Sequence, residues 1–169
     1  LATLELGRVQ GLWDKPIRRD DPTIALIQAK GDLHEADYLA SLRAEGRTVV
    51  EIPKDGLRTP DQLRSAQATT LAAMRDGADV IFQATFFDGG FVGHADFLER
   101  TPDGWLVSDT KLARTESVPA LLQIAAYASL LQEAGVPAAP VARLVVGSGD
   151  VRDFALDDIV PVYRTRRAR

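Results

Sequence analysis

Cysteine is absent from all 169 residues. Disulfides, thiolate zinc sites and cysteine-ligated iron–sulfur clusters are excluded with it, as is a cysteine nucleophile. The absence is compatible with the cytoplasm, which is the expected location. The sequence also lacks an apolar run long enough to span a membrane, and nothing at Leu1 reads as a signal peptide, so no membrane partner is expected. Net positive charge is missing too: 24 Asp and Glu against 20 Lys and Arg leave a net charge of −4. Proteins that live on phosphate contacts are often basic, so this balance counts mildly against avid nucleic-acid binding. A cluster of acidic metal ligands would lower the formal charge in the same way until cations bind. The charge is uneven, with Arg164, Arg166, Arg167 and Arg169 at the end and Arg18 and Arg19 near the start. Both clusters also read as plain solvated surface.

What is present describes a folded domain. Hydrophobic residues make up 46% and charged residues 26%, the profile of a globular rather than a disordered chain. The length fits a single domain over 1–169, able to bury roughly 70% of its unfolded surface. The chain begins at Leu rather than Met, as a fragment or trimmed chain would.

Residues 1–20, with Trp13 and Pro16, read as an irregular lead-in. Asp20-Asp21-Pro22 is a helix start, with an Asp cap and Pro in the first turn. Ile24, Ile27, Gly31, His34, Tyr38 and Leu42 recur at three- and four-residue steps, forming one face of a helix that Gly46 ends. A β-branched strand follows over 48–52, and Thr59-Pro60 opens a second helix that Gly77 stops. From Asp79 the pattern turns to β: DVIFQATFF, a turn at 88–90, FVGHADFLER, a turn at 101–104, then WLVSDTK. This predicts a three-stranded antiparallel meander. A third helix is expected over 118–134, and a strand over 141–146. The segment 148–169 is weakly patterned and reads as a junction to a missing C-terminal region, which leaves a core of about 20–147. The expected fold is α/β or α+β, a mixed sheet with the meander at its centre and helices on its flanks.

The turn at 101–104 carries the most chemical information. Read as a four-residue hairpin loop, it pairs Arg100 with Trp105 and sets Asp96 opposite Asp109. Directly opposed side chains have Cβ atoms roughly 4.5–5.5 Å apart. Two carboxylates that close repel unless one holds a proton or a cation lies between them. Hard divalent cations, Mg²⁺ or Mn²⁺, prefer such oxygen ligands. Lys111, two residues after Asp109, points to the same face. It could neutralise the pair, contact a phosphate or align an attacking water. The same spacing is met by an exposed hairpin with all three side chains solvated. The apolar flanks Phe97, Leu98, Leu106 and Val107 argue for burial.

His34, on the apolar stripe of the first helix, is either a core histidine with one hydrogen bond or a metal ligand facing the carboxylates. Glu35 points about 100° away from it and is a candidate to support the ligands from outside. His94, which the alternation places on the face of Asp96, is a weaker alternative ligand. Gln123 and Tyr127 lie four apart on the third helix. They are either a buried hydrogen-bonded pair or a polar pair that buttresses Lys111 or touches a nucleic-acid backbone.

Taken together, GDLHE (31–35), GHADFL (93–98), SDTKLAR (108–114) and LLQIAAY (121–127) resemble, in order and rough spacing, the RecB-type branch of the PD-(D/E)XK nucleases. QATFFDGGFVGHADFL resembles more narrowly a bacterial subgroup of RecB-family nucleases in which such a domain heads a longer protein. The resemblance covers roughly residues 20–147. It implies a restriction-endonuclease-like sheet and metal-dependent hydrolysis of DNA phosphodiester bonds, in DNA repair, recombination or processing. By the same resemblance His34, Asp96, Asp109 and the main-chain carbonyl of Thr110 would bind Mg²⁺ or Mn²⁺. Asp96, Asp109 and Lys111 would form the catalytic set, and Gln123, Tyr127 and Arg114 an accessory, DNA-contacting set. Ala95 stands where the motif's name has proline. The four cluster-binding cysteines of several relatives are absent, so no iron–sulfur cluster is expected. A helicase or second domain beyond Arg169 would fit the arginine-rich ending. The alternative is a nuclease fold that holds DNA within a larger helicase–nuclease protein without cutting it.

Overall fold

The computed structural model describes residues 22–168. Helix α1 (Pro22–Ala44) leads to strand β1 (Val49–Glu51), helix α2 (Pro60–Arg75), and strands β2 (Val80–Phe87), β3 (Val92–Thr101) and β4 (Gly104–Lys111). Helix α3 (Val118–Glu133), strands β5 (Ala138–Val146) and β6 (Val151–Ala155) and helix α4 (Leu156–Arg167) complete it. The strands form one mixed sheet in sequence order, β1-β2-β3-β4-β5-β6. β2, β3 and β4 are the antiparallel meander, β1 joins β2 and β5 joins β4 in parallel, and β6 closes the edge antiparallel to β5. The two parallel pairs are those whose strands are linked through a helix, as crossover geometry demands. Among the described residues no helix is long and apolar enough to cross a membrane.

The helices start where their residues stop them from doing anything else. Thr59 caps α2 by accepting from the backbone of Gln62, whose side chain reaches back to the cap, and Pro60 fills the first turn. Ser117 caps α3 by accepting from the backbone of Ala120, with Pro119 in the first turn. The cap residues expected for α1, Asp20 and Asp21, lie outside the described residues, as do Trp13, Pro16, Arg18 and Arg19.

Two apolar layers hold the sheet. On one face α2 and α3 pack Ala66, Met74, Ile124 and Leu131 against Ile81, Leu98, Val107 and Leu144. On the other, Leu39 and Leu42 of α1 meet Val80 and Phe97, with Tyr38 edge-on to Phe97 at 4.9 Å. The stripe expected on α1 holds only in part. Burial sets in from Gly31 onward and takes in Glu35 and Leu39, while Ile27 remains 56% exposed.

The hairpin is tighter than the expected four-residue loop. Arg100 pairs with Trp105 as anticipated, but Thr101 also pairs with Gly104, leaving two residues in the turn. The end of the chain departs more. Residues 151–167 are β6 and α4, not an unpatterned junction, and α4 buries Leu156 and Val160 against the core. Pro161 inside α4 breaks its donor pattern, and the helix is short, so its apolar residues make a faint signal. Two of the arginines are spent within the fold. Arg164 donates to Ser129 and Gln132 of α3, and Arg167 binds Asp88 and lies over the Phe91 ring.

Candidate active site

The β3–β4 pairing runs as far as Phe97 across from Ser108, and Asp96 and Asp109 are the next residues beyond that pair, near enough for the Asp109 charge to act on Asp96. Asp109 is fully buried, and neither of its carboxylate oxygens accepts a hydrogen bond. Lys111 Nζ stands 2.5 Å from Asp109 Oδ2. This contact is an ion pair that lacks hydrogen-bond alignment, so it supplies charge without satisfying the oxygen's directional need.

Asp96 is half-buried. The Thr110 backbone N–H donates to its Oδ2 at 3.5 Å, a long and weak contact. Thr110 thus reaches the pair through its amide. Burial pushes the Asp96 carboxyl well above the ordinary aspartate value of 3.8, and the Asp109 charge pushes it the same way. Glu35 adds to the rise and Lys111 opposes it.

The helices supply the rest. His34 of α1 places Nε2 3.3 Å from the carbonyl of Val145, and Val145 is the β5 partner of Thr110. The imidazole therefore lies at the level of the pair but turns to a backbone oxygen. Burial is the largest influence on the Glu35 carboxyl and raises it, Lys54 and Gln83 oppose, and Asp32 and Asp109 raise it further. Gln123 Nε2 donates to the Tyr127 hydroxyl at 2.8 Å. The Tyr127 hydroxyl is pushed up by burial and feels both Asp109 and Asp96, which places α3's polar pair beside the carboxylates. Arg114 is exposed in the loop after β4 and forms no hydrogen bond or ion pair. His94 is tied through Nδ1 to Thr85 Oγ1 at 3.0 Å, and burial lowers its pKa.

Two residues escaped the sequence reading. A Cβ on Gly93 would stand 2.8 Å from Tyr127 Cε1, so only glycine lets that ring lie across β3 beside Asp96. Its signal was present, since a glycine inside a strand marks a close approach. Gln83 of β2 is buried and donates to Glu35 Oε1. Nothing local distinguishes it from any other strand glutamine.

The donor set suits a hard divalent cation: two neighbouring carboxylates, one with both oxygens buried and free of hydrogen bonds. As arranged, no three His, Asp or Glu side chains among the described residues converge to hold an ion by themselves. The protein thus offers two carboxylates, and the other coordination positions would fall to water and substrate, as is common for Mg²⁺. Compared with protein-family models and with curated proteins, the chain matches none of them.

Proposed function

We propose that this chain is a Mg²⁺- or Mn²⁺-dependent nuclease that hydrolyses DNA phosphodiester bonds, built on a RecB-type, restriction-endonuclease-like core. The observation that carries the reading is Asp109, a fully buried carboxylate with two unbonded oxygens, near Asp96 of the adjacent strand and touched by Lys111. Folded proteins rarely leave buried polar atoms without partners, and a bound ion is one physical reason for such an exception.

Asp96 and Asp109 would hold the cation, whose chemistry when bound is to polarise a phosphate and make water nucleophilic at neutral pH. Lys111 reaches solvent, with 31% of its side chain exposed against none for Asp109. Its ammonium would meet a phosphate oxygen. Tyr127 and Gln123 wall the site on the α3 side, and the unpaired Arg114 lies on the loop where a DNA backbone would approach. A role in DNA repair, recombination or processing, within a longer protein that carries a helicase, belongs to the same reading.

The test is incubation of single- and double-stranded DNA with the protein in Mn²⁺, Mg²⁺ or EDTA. Cleavage with either metal and none in EDTA supports the reading. Retention of DNA without cleavage would point to a binding module. No cleavage and no Mn²⁺ heat in calorimetry would remove the proposal's basis.

A further inference from the structure

Gln83 is the sole non-glycine residue among those described with a positive φ, at 59°. It stands in the middle of β2, where a side chain is expected in extended backbone. Such a conformation persists only where the surroundings impose it, and it gathers at functional sites. Its effect on the sheet is visible. β2 pairs with β3 at Phe82↔Phe97 and Ala84↔Ala95, and the level between them, Gln83 and Asp96, is skipped. Val80 packs on the α1 face and Ile81 on the opposite face, yet Ala84, an odd step later, shares the layer of Ile81. The alternation of β2 reverses at Gln83.

The reversal has a consequence for chemistry. Gln83 is only 4% exposed, its Nε2 donates to Glu35 Oε1 on α1, 48 residues away, and its own Oε1 accepts nothing. Gln83 and Asp96 are the residues between the pairs Phe82↔Phe97 and Ala84↔Ala95, and Asp96 and Asp109 are the next residues beyond the pair Phe97↔Ser108. Glu35 lies close enough for its charge to act on both aspartates. A glutamine that served only to tie α1 to the sheet could do so from ordinary strand backbone.

We propose that Gln83 is a positioning residue: its amide aims the Glu35 carboxylate at the Asp96–Asp109 pair, so that Glu35 grips the water shell of the divalent cation bound there. The inference rests on the nuclease reading in taking that pair as a cation site. The unbonded, fully buried oxygens of Asp109 are the independent sign that the acidic group has a ligand. Glu35 acts through water because no three acidic or histidine side chains among the described residues converge on one point. Carboxylates beyond the direct ligands fix ligand orientation and tune the ion.

The test is calorimetric titration of Mn²⁺ alone into wild type, Gln83→Gly, Glu35→Gln and the double variant, with circular dichroism to establish that each is folded. Glycine accepts a positive φ freely, so Gln83→Gly removes the amide without adding backbone strain. Gln83→Asn, which tolerates the same φ but is too short to span to Glu35, replaces it if the glycine variant unfolds. Both single variants are expected to lose about 10- to 100-fold in Mn²⁺ affinity. The double variant should lose no more than either single one. Wild-type affinity in folded Gln83→Gly or Gln83→Asn overturns the assignment of Gln83 while leaving the two-aspartate centre standing. Absence of Mn²⁺ binding by wild type overturns both.

Discussion

Glu99 and Asp109 are buried acids on adjacent strands, and the fold treats them in opposite ways. Glu99, 3% exposed, accepts from the Tyr38 hydroxyl at 2.8 Å, the Ser108 hydroxyl at 2.7 Å and the Arg47 guanidinium at 2.5 Å. Asp109 is buried more completely and accepts no hydrogen bond. The chain therefore has the means to satisfy a buried carboxylate and applies them where α1 must be fastened to the sheet. Arg47 also donates to the Asp79 carbonyl, so one acid ties together α1, β3, β4 and the start of β2. Near Asp109 the polar groups are arranged instead to face a second acid and one ammonium. Glu99 contributes to keeping the protein folded, and on the proposed reading Asp109 is kept for a bound cation.

The contrast predicts different failures. The largest effect falls on chemistry: Asp109→Asn or Lys111→Ala should reduce metal-dependent DNA cleavage at least about a thousandfold, about 4 kcal/mol of barrier, with an unchanged circular dichroism spectrum. Full activity in either purified variant would break the assignment. Next in size, Glu99→Ala should cost about 3–5 kcal/mol in urea unfolding, since it strands Arg47, Tyr38 and Ser108 together. A cost within 1 kcal/mol would show that Glu99 is no more satisfied than Asp109. Gly93→Ala should cost about 1–3 kcal/mol by driving a methyl into the Tyr127 ring. It should also weaken cleavage, because Tyr127 backs the aspartates.

The smallest effect is the most diagnostic. The native Asp96 carboxyl lies well above the unfolded value of 3.8, so the native state holds its proton more tightly than the unfolded chain does. Stability from this group is therefore full below 3.8 and falls as pH rises toward the native value. In metal-free buffer Asp109→Asn should be at least as stable as wild type near neutral pH and should flatten this decline. Saturating Mn²⁺ should restore wild type, because an ion that binds only the native state stabilises it. Thermal melts from pH 4 to 8, with EDTA or Mn²⁺, would show either pattern. A marked loss of stability in Asp109→Asn with EDTA would mean that the aspartates do not repel.

How much of this could be read beforehand depends on how local each cause is. The β3–β4 register follows from Thr101-Pro102-Asp103-Gly104, because a turn fixes the pairing of the strands that leave it. Gln123 and Tyr127 meet because a helix brings positions four apart together. The angular position of Glu35 about α1 was legible, but which neighbour it would meet was not, since Gln83 reaches it from a different strand. The reversal at Gln83 was hidden because a positive φ is announced by glycine or asparagine, and here neither stands. The carboxy-terminal strand and helix were missed because Pro161 and a short apolar stripe give little periodicity to detect.

By itself the sequence determined the mixed α/β character, the antiparallel meander and the β3–β4 register from Thr101 to Phe97, all consequences of side-chain period and turn chemistry acting within a few residues. Only the tertiary structure decided that Asp109 is sealed from water without a hydrogen bond, that Glu35 is handed to Gln83, and that Arg164 and Arg167 are consumed inside the fold. Those outcomes depend on which surfaces pack together across long chain separations. Burial and the pairing of charges are set by that packing, and no local pattern encodes them.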